Sequence, residues 1–100
     1  MNKLLDQISL DRLNEVCRHY HVRRLSVFGS ASRGEDQDGS DLDILVEFSP
    51  GYVPGFAFIS LQDELSKVFG RRVDLRTPDE LSKYFRETVV KEAQPIYAVA

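Results

Sequence analysis

Apolar residues recur along this chain with two different periods, and the changes of period mark its elements. Leu10, Leu13, Val16 and Tyr20 fall near helical spacing behind Ser9, a residue suited to cap a helix start. The spacing predicts an amphipathic first helix ending near His21. Leu25 to Phe28 reads as a short strand that Gly29 stops. Leu42 to Phe48 alternates with period two: Leu42, Ile44, Val46 and Phe48 face one side, and Asp41, Asp43, Leu45 and Glu47 the other. A core on the first side leaves the aspartates on the second. Phe58, Leu61, Leu65, Val68 and Phe69 form a helical stripe, and Gly70 stands where a helix ends in a left-handed residue. Arg72 to Leu75 predicts a third strand. After it, Thr77-Pro78-Asp79-Glu80 has the form of a capping box with proline at the first helical position. A last helix is expected to start there, with Leu81, Tyr84, Phe85, Val89 and Ala93 facing inward until Pro95 ends it, and Ile96 to Val99 adding an edge strand. The order is α, β, short α, β, α, β, α. It predicts an α/β (α+β) fold: a small mixed β-sheet of three or four strands with flanking helices, packed mainly on one face.

Composition narrows the function classes. The 100 residues read as a single domain spanning 1–100, with a core but without room for a second substrate-binding lobe. An apolar fraction of 42% and ten aromatics exclude disorder, and no stretch is long and apolar enough to span a membrane. The net charge of -3 gives no general attraction to nucleic acid, so no direct DNA binding is expected; Arg23, Arg24, Arg71 and Arg72 are the local exception. The single cysteine, Cys17, reads as a small core side chain, and the absence of a signal sequence makes the cytoplasm the expected compartment. His19 and His21 have no Cys or further His nearby to complete a zinc site.

The chemistry concentrates between Phe28 and Phe48. Gly29-Ser30 ends one strand and a Gly/Ser/Asp-rich connection leads into the next, headed by Asp41 and Asp43. A Gly-Ser turn at a helix start offers N–H groups and a hydroxyl to phosphate oxygens. Period-two alternation puts both carboxylates on one side, about 6 to 7 Å apart along the backbone, within reach of one Mg²⁺. Asp41 behind Ser40 also reads as an Asx turn, but that leaves Asp43 among Leu42, Ile44, Leu45 and Val46, where a carboxylate is costly unless paired or metal-bound. Ser49, Pro50, Gly51, Pro54 and Gly55 make a loop taken to lie beside the aspartates. Tyr52 and Phe56 in that loop are able to close over a bound base or, like Phe58, to pack the next helix.

Gly29-Ser30, ten residues, then Asp41-Leu42-Asp43 is similar to the signature of the polymerase-β-like nucleotidyltransferase superfamily. Four fixed positions match by chance about once in 10⁵ starts. Arg33-Gly34, Ser40, Val73-Asp74-Leu75 and Glu92-Ala93 near Ile96-Tyr97 make the chain resemble its minimal nucleotidyltransferase (MNT) branch over nearly its whole length. The resemblance implies the polymerase-β-like fold, ATP as substrate and two Mg²⁺, which stabilise the attacking and leaving oxygens from about 4 Å apart. It adds Asp74 to Asp41 and Asp43 as the third catalytic and metal-holding carboxylate. It gives Gly29, Ser30 and Arg33 to the nucleotide, although Arg33 reads almost equally as a solvated turn residue; for Asp74 a pairing with Arg71, Arg72 or Arg76 is the lesser alternative to the catalytic role, which its family context favours. Arg76 departs from the branch, where an apolar residue is usual. MntA-type antitoxins of this branch pair with HEPN-domain ribonuclease toxins and transfer AMP to a toxin tyrosine, so a hetero-oligomer with a HEPN toxin is expected. Two alternatives stay open: neutralisation by binding alone, and nucleotidyl transfer to a small molecule or an RNA end.

Overall fold

The computed structural model describes residues 8–29 and 41–99. Helix α1 (Leu10–His19) starts as its cap requires: the extended Ser9 accepts the Arg12 N–H on its hydroxyl at 3.3 Å. Leu13 and Cys17, one turn apart, are fully buried, whereas Leu10 is half exposed. Burial pushes the Cys17 thiol up to about 12, which leaves it an inert core group. The chain reverses at His21, the one non-glycine with positive φ among the described residues, whose carbonyl accepts the Ser49 N–H at 2.9 Å.

Strand β1 (Val22–Val27) then enters the middle of a four-stranded mixed sheet, whose order across is β3 (Val73–Arg76), β2 (Leu42–Phe48), β1 and β4 (Gln94–Ala98). Strand β2 (Leu42–Phe48) pairs antiparallel with β1, opposing Leu25 to Val46 and Val27 to Ile44. Strand β3 (Val73–Arg76) pairs parallel with β2, a geometry that needs a crossover, here helix α2 (Ala57–Phe69). Gly70, at φ 64, ends α2 in the left-handed conformation expected of it. Two polar side chains of α2 then seal the outer edge of β3. Ser66 Oγ accepts the Val73 N–H at 3.0 Å, and Gln62 Oε1 accepts the Leu75 N–H at 3.1 Å. These bonds protect an edge strand and hold Asp74, between them, in register. Strand β4 (Gln94–Ala98) closes the other edge against β1, where Pro95 is tolerated because an edge strand can spare one N–H.

The main core lies where the alternation requires. Leu42, Ile44 and Val46 of β2 pack with Leu13 of α1 and with Leu61 and Leu65 of α2 on one face of the sheet. The last helix differs from expectation in three ways. Thr77 makes no side-chain cap, and Pro78–Glu80 is a single 3-10 turn; helix α3 (Lys83–Glu92) starts only at Lys83, with Ser82 Oγ accepting the Phe85 N–H at 3.4 Å. Leu81, extended at ψ 145, separates the two caps. Starting later turns Tyr84 (85% exposed) and Phe85 (51%) outward, so only Leu81 and Val89 are buried among the five residues expected inward, with Ala93 partly so. Finally, α3 covers the face opposite α1 and α2, where Leu81 and Val89 join Phe28 and Leu45 in a second, smaller cluster. Arg86 braces it, donating from Nε to the Pro78 carbonyl at 2.7 Å and from Nη2 to that of Leu81 at 3.2 Å. Among the described residues no helix is long and apolar enough to cross a membrane.

Candidate active site

The parallel register sets Asp43 of β2 directly beside Asp74 of β3. Because neighbours in register share a face, both carboxylates stand opposite the main core, and Asp41, just before β2, belongs to the same row. All three expected carboxylates are thus brought to one end of two adjacent strands. Gly29 meets them from β1. The Phe28 N–H donates to the Asp43 carbonyl at 3.0 Å, and the next residue, Gly29, turns to φ +71 against the Asp43 side chain. A Cβ there would lie 2.7 Å from Asp43 Oδ2, so the close approach requires glycine. Ser30 and Arg33 lie outside the described residues.

Crowding shows in the electrostatics. The Asp43 carboxyl is raised above the usual carboxylate range, first by burial, then by repulsion from Asp74 and from Asp41, with Arg76 opposing the rise. Asp74 is not left to face this alone. Arg76 grips it from two residues along the same face, Nε to Oδ1 at 3.3 Å and Nη2 to Oδ2 at 3.5 Å. Asp74 therefore does both things the sequence left open: it stands beside Asp43, and it pairs with an arginine.

The donor set fits a hard divalent cation. Among the described residues no three His, Cys, Asp or Glu side chains are gathered into a ready-made cage. Mg²⁺ does not need one, since it is held by one or two carboxylates and completed by substrate phosphates and water. The repulsion among the carboxylates, which adds to burial in raising Asp43, is what such a cation relieves.

The loop that follows β2 is not where the sequence suggested. It leaves the strand at Phe48, while Asp43 is near the opposite end, about 16 Å away at the rise of a strand. Tyr52 is anchored there, stacked on His21 at 4.4 Å and 5.7 Å from Phe48, and Phe58 packs on Phe48 at 6.4 Å. Phe56 is 93% exposed. A groove of about 450 Å³ runs between this loop and the 3-10 turn, lined by Glu47, Phe48, Tyr52, Pro54 and Pro78. Two contributors to the site escaped sequence reasoning. Leu45, an apolar residue in the row of aspartates, is the signal for the second cluster; Arg76, at period two from Asp74, was one of three arginines offered as its partner, and only the alternation singles it out from Arg71 and Arg72.

Comparison with known proteins gives the family and the fold. The family profile described as the nucleotidyltransferase domain matches residues 10–96. The chain is 36% identical over 89 residues to the protein adenylyltransferase MntA of Thermococcus cleftensis, covering 88% of each. A solved chain assigned to the minimal nucleotidyltransferases superposes with a TM-score of 0.73 at 35% identity, covering 86% of this chain and 87% of that one. A toxin–antitoxin crystal structure with AMP-PNP shares the fold at a TM-score of 0.70 and 22% identity, covering 89% of this chain and 73% of that one.

Proposed function

This chain belongs to the nucleotidyltransferase domain family, and we propose that it is a Mg²⁺-dependent protein adenylyltransferase moving AMP from ATP to a tyrosine of a partner HEPN-domain ribonuclease toxin, as its antitoxin. The observation that carries this reading is the Asp43 and Asp74 pair in register on parallel strands, with the Gly29 backbone packed against one of them. The adenylyltransferase relative at 36% identity supports the reaction class, and the toxin–antitoxin neighbour holding AMP-PNP supports the setting. The reaction draws on ATP and belongs in the cytoplasm.

In the reaction the acceptor hydroxyl oxygen forms a bond to the α-phosphorus while the bond to the β-phosphate oxygen breaks and pyrophosphate leaves. Bound Mg²⁺ supplies charge stabilisation to the attacking and leaving oxygens. Asp41, Asp43 and Asp74 would hold the metal, and Asp74 would take the hydroxyl proton. Gly29 lets the backbone come within reach of the triphosphate, with Ser30 and Arg33 proposed as its further ligands. The test uses ATP labelled at the α- or the γ-phosphate. Adenylyl transfer leaves the α-label, and not the γ-label, on the toxin; γ-label on the toxin would mean phosphoryl transfer, and no label on a toxin that is still neutralised would mean inhibition by binding.

A further inference from the structure

Strand alternation puts Arg76 on the same face as Asp74, and the parallel register sets it beside Leu45 at the rim of the small apolar cluster. Its fork engages both oxygens of Asp74, through Nε and through Nη2. Those oxygens carry the lone pairs a metal ion would use. The pair is half exposed on both sides, 48% and 42%, and exposed ion pairs are weak. Arg76 is therefore a tether that a stronger cation can displace, and not a structural clamp. The same guanidinium opposes the rise in Asp43, so its charge reaches the neighbouring carboxylate as well as the one it binds.

We infer that Arg76 is a positioning residue: it serves as an internal counter-ion that competes with divalent metal for Asp74 and releases it when a metal-bound triphosphate gives the guanidinium another anion. This rests on the carboxylate site proposed above. A displaced guanidinium still needs a partner, and a phosphate oxygen offers it the same forked geometry as a carboxylate. The metal alone brings no anion. Arg76 thus weakens binding of the bare ion and not of the ion with its nucleotide.

The experiment titrates Mn²⁺ into the chain and follows the free-ion EPR signal, with and without a non-hydrolysable ATP analogue. Without nucleotide, Arg76→Leu is expected to bind Mn²⁺ about two- to fivefold more tightly than the native chain, the range set by an exposed ion pair. With the analogue the advantage is expected to vanish or reverse, a change of sign that a merely structural role would not produce. An unchanged or weaker affinity without nucleotide overturns the inference, as does an equal gain in both conditions. Arg76→Gln, which keeps length and loses charge, serves if Arg76→Leu does not fold. Asp43→Asn separates the two levels. If it leaves Mn²⁺ affinity unchanged, the carboxylate site itself fails and this inference with it; if it weakens affinity while Arg76→Leu changes nothing, only the role of Arg76 falls.

Discussion

Replacing Asp43 with Asn should make the metal-free domain more stable, not less. Neighbouring strands are about 4.8 Å apart, so the Asp43 and Asp74 carboxylates face each other across about 5 to 6 Å. Between half-exposed groups with an effective dielectric of about 40 to 80, that repulsion is about 0.7 to 1.7 kcal/mol. Burial of the Asp43 carboxyl, the largest cause of its raised value, and Asp41 add to it, Arg76 subtracts from it, and each ~1 kcal/mol of net gain in a chain of this size raises Tm by about 4–8 °C. The sign with pH follows from the raised carboxyl. The folded state holds the Asp43 proton more tightly than the unfolded chain, so its contribution favours folding at acid pH and is lost as pH rises through the raised value. The advantage of Asp43→Asn should be small near pH 4, about where free aspartate titrates, and largest at neutral pH. The assay is thermal unfolding by circular dichroism in chelator at low ionic strength, and added salt should shrink the gap. A lower Tm for Asp43→Asn at neutral pH would mean that Asp43 makes a native stabilising contact, and the reasoning would fail.

Gly29→Ala should cost about 1–2 kcal/mol from the left-handed backbone alone. Its Cβ, arriving 2.7 Å from Asp43 Oδ2, should also push the carboxylate aside and lower transfer about 10²-fold, as ångström-scale misplacement of a reacting group does. Activity retained at the native level, with only stability lost, would separate Gly29 from the site. Leu81→Ala should cost about 2–3 kcal/mol in urea denaturation, because the second cluster has only four buried members to close over the gap. A loss below about 0.5 kcal/mol would mean that α3 is not held through Leu81.

What was legible in the sequence follows from the range of the interactions involved. The alternation in β2 needed only local sterics, so Asp41 and Asp43 could be set on the face away from the core before any fold was known. The caps at Ser9 and Gly70 are equally local, and both formed. The pairing of Asp43 with Asp74 is not local: it depends on a parallel register set across a helical crossover, and only the family resemblance pointed to it. The last helix went astray because two cap signals compete within six residues. Thr77-Pro78-Asp79-Glu80 matches the pattern, but Leu81 leaves the helical conformation to fill the space over Leu45, and Ser82 caps instead. Tyr84 and Phe85 then point outward although their spacing looked amphipathic. The loop bearing Tyr52 was misplaced for a simpler reason: the five strand residues after Asp43 separate its start from that aspartate, and a strand is long per residue.

The proposed transfer is tested most directly by the intact mass of the proposed HEPN-domain partner after incubation with this chain, ATP and Mg²⁺, beside a parallel reaction with Asp43→Asn. The account predicts that the partner gains one or more whole AMP units with the native chain and none with the variant, while both chains stay folded and bind the partner. A partner neutralised by both chains without any gain in mass would contradict it, and would leave neutralisation to the binding surface alone.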